Sequence, residues 1–204
     1  MSTADRKERE RLRRRNEIVD AAEKLFLSKG IDSVTMDDIA KDTELARGTL
    51  YLYFKNKDEI CIAIATRGLK VLNGLFRETA RGDDSGLAKL RRQLYALYEF
   101  YKKYAVYYAT ISYLQGRCYD MSDYQGAEEM NEANRDTIRL VMDAFAEGLE
   151  DGTVSQDTDP LKTAMFLQAS MQSVINLAPY TGMPPEEFVE YSVGLMLRSF
   201  KGSG

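Results

Sequence analysis

Between Arg47 and Lys57 the chain reads RGTLYLYFKNK: an arginine, a glycine, a hydroxyl, three aromatics and two further lysines. Arginine can donate two hydrogen bonds to O6 and N7 of guanine, and a threonine can offer its hydroxyl and methyl to a base edge or a phosphate. Here those are Arg47 and Thr49, with Gly48 between them permitting close backbone approach. Tyr51 and Tyr53 can reach phosphates through their hydroxyls, and Lys57 adds an unscreened charge. Upstream, Thr35 opens another helical segment, where a hydroxyl beside unpaired backbone N–H groups suits a phosphate. Leu50 and Phe54 belong to the core side of the same stretch. Each polar residue also has a plainer use: Arg47 as a solvated first-turn arginine, Tyr51 or Tyr53 as half-buried rings bonded to a neighbouring helix. Their occurrence together in this order favours a surface that touches nucleic acid.

Other chemistries find little support. There is no histidine, and the two cysteines, Cys61 and Cys118, are far apart without CxxC spacing, so the usual zinc patterns cannot be assembled. No metal or other cofactor is expected, and imidazole-based pH sensing is excluded. Both cysteines read as small buried hydrophobes. No nucleophile–base pair, paired ExxH or Walker loop is present, so an enzyme is not expected. The N-terminus is charged and no apolar run approaches the roughly 18 residues of a membrane span, which leaves no expected signal peptide or membrane segment and a cytoplasmic default.

The elements that must position these residues are helical. From Arg14 to Lys29 the apolar residues Ile18, Ala21, Ala22, Leu25 and Phe26 repeat on one helical face, and Gly30 ends it. Thr35, with Asp38 three residues on, predicts a capped short helix from Met36 to about Asp42. A tight turn and a second short helix, about Arg47 to Tyr53, complete a helix-turn-helix unit. A long helix then runs from Asn56 or Lys57 to about Ala80. Beyond the RGDDSG loop, Arg81 to Gly86, helices are predicted from Leu87 to Lys103, Tyr104 to Arg117 and Ala127 to Glu150. Pro160 opens another helix, to about Ala178, and Pro184 or Pro185 the last, to about Phe200. The expected fold is all-α, about nine helices, with an N-terminal three-helix bundle carrying the helix-turn-helix followed by a larger helical part.

A hydrophobic content of 44% is ample for a core, and the net charge of −4 argues globally against a nucleic-acid partner. The charge is unevenly placed: residues 1–60 hold 13 basic and 13 acidic side chains, so all of the acidic excess lies later. Within the first part, Arg6 to Arg15 (RKERERLRRR) carries seven bases against Glu8 and Glu10, either a solvated helix start or a binding arm.

Ile18 to Ile64 resembles the DNA-binding domain of the tetracycline-repressor-like (TetR) family of transcriptional regulators. The resemblance rests on A-A-x-x-L-F-x-x-x-G at Ala21 to Gly30, Thr35, Ile39-Ala40 and, above all, GTLYLYFKNK at Gly48 to Lys57. It implies base contacts from Arg47, Gly48 and Thr49, and phosphate contacts from Thr35, Tyr51, Tyr53 and Lys57. Two positions depart from the family pattern: Glu44 stands where many relatives have glycine in the turn, and Asp37 where a basic residue is sometimes found. On this basis residues 1–15 are expected to form a basic arm, 16–60 the DNA-binding domain, and 61–204 an effector-binding and dimerisation domain. The family further implies double-stranded operator DNA, a small-molecule effector and a homodimer, most simply a repressor released from a palindromic operator by its ligand.

Within the later domain the residues must speak alone. Leu161, Met165, Gln168, Met171, Val174 and Ile175 on one helix, with Phe188, Tyr191, Leu195 and Met196 on the last, are the expected dimer face. Tyrosines crowd the interval from Tyr95 to Tyr124, with Tyr119 and Met121 among them. Tyr98, Tyr101, Tyr104 and Tyr108, together with Gln168, are the expected lining of a pocket for a flat, hydrophobic or cationic molecule. The competing reading is a helical carrier or enzyme whose N-terminal bundle is only scaffold.

Overall fold

Thr35 shows how local chemistry sets the element boundaries. Its backbone N–H donates to Asp38 Oδ2 at 2.9 Å, and Asp38 N–H donates to Thr35 Oγ1 at 3.2 Å, closing a capping box that starts the second helix. The structure is a computed structural model that describes residues 3–116 and 122–202. Cys118, Tyr119 and Met121, for which the sequence carried expectations, lie outside the described residues. In chain order the helices are α1 (Thr3–Lys29), α2 (Met36–Asp42), α3 (Arg47–Tyr51), α4 (Lys57–Thr79), α5 (Gly86–Lys103), α6 (Ala105–Gln115), α7 (Ala127–Glu150), α8 (Pro160–Leu177) and α9 (Pro185–Arg198). A 3-10 turn, Ala178–Tyr180, follows α8. Among the described residues extended pairing is limited to one isolated antiparallel bridge, Val154 with Lys201.

Two compact units emerge. The first holds the described residues of Met1–Leu69 and Tyr104–Glu132, the second those of Lys70–Lys103 and Ala133–Gly204. The first is built on Ile18, Ala22 and Phe26 from α1, Ile39 from α2, Leu50 from α3, and Phe54, Ile60 and Ile64 around the start of α4, all buried. Burying each of the isoleucine, leucine and phenylalanine side chains among them contributes about 1.5–3 kcal/mol. Leu114 of α6 joins this core, and Val106 and Ile111 pack against it. The first unit thus reaches past the expected boundary near residue 60 and takes in α6, whose Leu114 is buried there.

Two further boundaries differ from expectation. Helix α1 begins at Thr3, so the basic run is its first half. Ion pairs one turn apart, Arg6 with Glu10 at 3.2 Å and Arg14 with Glu17 at 2.7 Å, support it there without an apolar face. Helix α3 ends at Tyr51 rather than Tyr53, and Tyr53 and Phe54 donate backbone N–H bonds to Leu50 O as the chain turns.

In the second unit α5 and α7 meet closely at one end. A methyl group on Gly86 would overlap the backbone of Gly148, so glycine is required at the contact. The same end is tied by Gly86 N–H to Asp151 Oδ2 at 2.8 Å, by Leu87 N–H to Thr153 Oγ1 at 3.2 Å, and by the ion pair of Lys89 with Glu147. Asp159 caps α8 by accepting from Lys162 N–H at 3.1 Å, with Pro160 at the first helical position. Phe145 and Phe200 close the core with ring centroids 5.4 Å apart.

Candidate nucleic-acid interface and ligand cavity

The turn between α2 and α3 is a Schellman closure. Leu45 N–H reaches Ala40 O at 2.9 Å, Glu44 N–H reaches Lys41 O at 3.2 Å, and Glu44 sits at φ 53°. The left-handed position that glycine fills most easily is thus retained with a glutamate in it. The turn brings the N-terminus of α3 beside the first turn of α2. Arg47 Nε lies 3.2 Å from Asp37 Oδ1, Nη1 donates to Asp37 Oδ2 at 3.3 Å, and the guanidinium stands 5.7 Å from the Tyr51 ring centre. Gly48 is exposed, with nothing within 4 Å of where a Cβ would stand, so the backbone there is open to approach. Thr49 is half-buried, Tyr51 exposed, and Leu50 fully buried beneath them.

Three expected contacts look different in place. Thr35 is exposed, but its hydroxyl donates to Asp38 Oδ2 at 2.6 Å and is occupied by the cap. That hydroxyl, followed by the Thr35 backbone N–H, holds the Asp38 carboxyl below its ordinary value. Lys57 is half-buried and donates to Ile31 O at 2.7 Å and Val34 O at 3.0 Å, so the unscreened charge expected there is instead a tie to the loop before α2. Tyr53 is half-buried and packs on the core. In compensation, Lys55 is exposed, and Leu52 is 76% exposed at the end of α3. The alternation of Tyr51, Leu52 and Tyr53 gave no sign of Leu52. An exposed leucine next to Tyr51 suits the methyl of thymine.

A cavity of about 80 Å³ lies within the second unit. Helix α5 supplies Leu90, Gln93, Leu94 and Leu97, one face at i, i+3, i+4, i+7, and α4 supplies Leu72 and Phe76. Thr137, Ile138 and Val141 of α7 and Ala164, Met165, Leu167 and Gln168 of α8 complete it. Among the expected pocket residues Gln168 lines it and the tyrosines do not. Tyr98 is buried on another side of α5, where its hydroxyl donates to Glu186 Oε1 at 3.3 Å; burial and then that carboxylate raise its pKa. Tyr101 stacks on Tyr98 with centroids 6.2 Å apart. Tyr104 and Tyr108 belong to the first unit, Tyr104 stacking on Tyr107 at 6.1 Å.

The expected dimer face also divides. Leu161, Met165, Gln168, Tyr191 and Leu195 are exposed, as are Phe166 next to Met165 and Tyr180 in the 3-10 turn, while Val174 and Phe188 are half-buried. Met171, Ile175 and Met196 are buried inside the unit and do not belong to that face. Among the described residues no helix is long and apolar enough to cross a membrane.

An exposed arginine, glycine and tyrosine at the start of the second helix of a helix-turn-helix, on an otherwise all-helical chain, define a DNA-binding transcriptional regulator. Residues 18–64 match the family model described as bacterial regulatory proteins, tetR family, so this part of the chain is a DNA-binding domain of that type. It is 27% identical over 154 residues to the uncharacterized HTH-type transcriptional regulator YhgD of Bacillus subtilis (strain 168), covering 76% of this chain and 78% of that protein. It is 25% identical over 146 residues to the HTH-type transcriptional repressor KstR2 of Mycolicibacterium smegmatis, covering 72% and 70%. In fold it is similar to the ketosteroid transcriptional regulator KstR2 of Mycobacterium tuberculosis, with TM-score 0.70, 18% identity and coverage of 93% and 96%. The fatty acid degradation regulator FadR from Bacillus halodurans gives TM-score 0.66, 22% identity and coverage of 89% and 97%. These curated relatives are regulators rather than enzymes.

Proposed function

We propose that the chain is a homodimeric repressor that holds palindromic operator DNA through Arg47, Gly48, Thr49 and Tyr51 and leaves it when a small molecule occupies the cavity. The observation that carries this reading is the double use of α4. Its first half, Lys57–Leu69, is built into the first unit, and its second half lines the cavity with Leu72 and Phe76. A ligand that fits only an enlarged cavity displaces that helix and shifts the population away from the DNA-competent form. The exposed Leu161, Met165, Tyr191 and Leu195 supply the apolar face that a second copy would cover. The lining is aliphatic, which replaces the flat or cationic effector expected from the tyrosines with a lipid-like one, in keeping with relatives whose names refer to ketosteroids and fatty acid degradation. The protein acts where the chromosome is, in the cytoplasm.

The test is fluorescence anisotropy on DNA from the chain's own promoter region, with sedimentation of wild type and Tyr191→Glu/Leu195→Glu. The reading expects a dimer that binds a palindromic segment, and a folded monomer with much weaker binding from the double variant. A wild-type monomer with full affinity would overturn it.

A further inference from the structure

Gln93 carries an unusual atom. It is 2% exposed on α5, and its Nε2 donates to the backbone carbonyl of Leu140 on α7 at 2.9 Å. Turning the amide over would set two acceptors against each other, so the donor must face Leu140 and Oε1 is left as the other end. Oε1 is sealed from solvent and makes no hydrogen bond. Buried acceptors without a partner are rare in folded proteins and call for an explanation. Gln93 is among the residues that line the cavity, and with Oε1 sealed a ligand reaches it only by parting that lining.

The neighbours do not supply the missing donor. The Thr137 hydroxyl has one proton, which goes to Asn73 Oδ1 at 2.6 Å with Ala133 O at 3.1 Å as a second acceptor. Gln168 is exposed and can use water. No lysine, arginine, aspartate or glutamate lines the cavity among the described residues, so a carboxylate or ammonium entering it would be buried without a counter-charge. Among the described residues Phe76 is the one aromatic ring in the lining, too little to sandwich a flat ring system. The space, about 80 Å³, is well below the roughly 300 Å³ at which drug-sized pockets begin, so what enters first is slim.

We infer that the cavity selects an uncharged aliphatic ligand bearing one O–H or N–H donor, which it reads through a hydrogen bond to Gln93 Oε1. This rests on the reading of the cavity as the effector site. Because the same amide straps α5 to α7, a ligand that engages it acts directly on the joint that must open to admit a longer chain.

Titration calorimetry with 1-octanol, its methyl ether and octanoate at neutral pH tests the inference on the unaltered protein. Octanol is expected to bind about tenfold more tightly than the ether, and octanoate more weakly than octanol. Gln93→Leu should remove the alcohol's advantage, and Ala164→Leu, which fills the cavity, should weaken every probe that binds. One-to-one binding that Ala164→Leu weakens, but with equal affinity for alcohol and ether, with octanoate tightest, or with the alcohol's advantage intact in Gln93→Leu, overturns the inference alone. Absence of saturable binding by all three probes, or binding indifferent to Ala164→Leu, overturns the effector site and the inference with it.

Discussion

Arg47 and Asp37 face each other across the helix-turn-helix, Nε to Oδ1 at 3.2 Å and Nη1 to Oδ2 at 3.3 Å, so the foremost side chain proposed to read a base is held by an acid before DNA arrives. The pair is exposed, and its net worth to folding is small. Its effect falls on binding, where the acid both aims the guanidinium and repels phosphate. Arg47→Ala is expected to weaken operator binding by roughly tenfold to a hundredfold and to relax preference at one base pair. Asp37→Asn should strengthen binding to unrelated DNA more than to the operator. Anisotropy with both DNAs decides; an unchanged specificity ratio in Asp37→Asn would show that the acid is a bystander.

Lys57 gives the opposite expectation from that of a phosphate contact. With its ammonium held by Ile31 O and Val34 O, Lys57→Met should lower unfolding free energy by about 1–3 kcal/mol while leaving the salt dependence of DNA binding nearly unchanged. Lys55→Ala should do the reverse, with little loss of stability and a reduction of the salt slope by about one. Urea unfolding and anisotropy at several salt concentrations separate the two; a reduced slope in Lys57→Met restores the phosphate contact.

Glu44 occupies φ 53° in the turn. Glu44→Gly relieves the left-handed strain, offset in part by a looser unfolded chain, and should stabilise by about 0.5–1 kcal/mol. Glu44→Gln keeps the strain and removes the charge. Only the glycine variant should raise the melting temperature, while both should bind DNA more tightly. A melting temperature raised equally by glutamine would place the defect in charge rather than backbone.

Asp38 sets an acid limit on the start of α2. Its carboxyl is depressed below the ordinary 3.8, first by the Thr35 hydroxyl and then by the Thr35 backbone N–H. A depressed folded value means that the contribution is complete above 3.8 and is lost as pH falls through the lower, folded value. The difference in urea midpoint between wild type and Thr35→Val should therefore be constant from pH 6 to about pH 4 and shrink below it. A difference that grows on acidification would contradict the capping box as its source.

The helices were legible where local rules and tertiary packing agree. Thr35 with Asp38, and Asp159 before Pro160, mark their boundaries by chemistry contained in a few residues. The first half of α1 offered no apolar repeat, and its helicity rests on charge pairs such as Arg14 with Glu17. The place of α6 was hidden because it depends on Leu114 finding the core of Ile18 and Phe54, far away in sequence. At the site, Arg47, Gly48 and Tyr51 were readable from type and order, whereas the engagement of Lys57 by Ile31 and Val34 belongs to a loop closed only in three dimensions. The tyrosines drew attention as amphipathic rings, yet the repeat of Leu90, Gln93, Leu94 and Leu97 was the periodic signal that marked the cavity face.

The contact of Gly86 with Gly148 gives the second unit a fulcrum. With backbones touching there, and Asp151, Thr153 and the Lys89–Glu147 pair clamping the same end, α5 and α7 cannot part at that point. Any spreading forced from within must grow with distance along both helices, least at Leu90 and Val141 and greatest toward Leu97 and Thr137. A cavity hinged in this way can open only like shears, and the proposed effector would work at its best mechanical advantage when lodged far from the glycines.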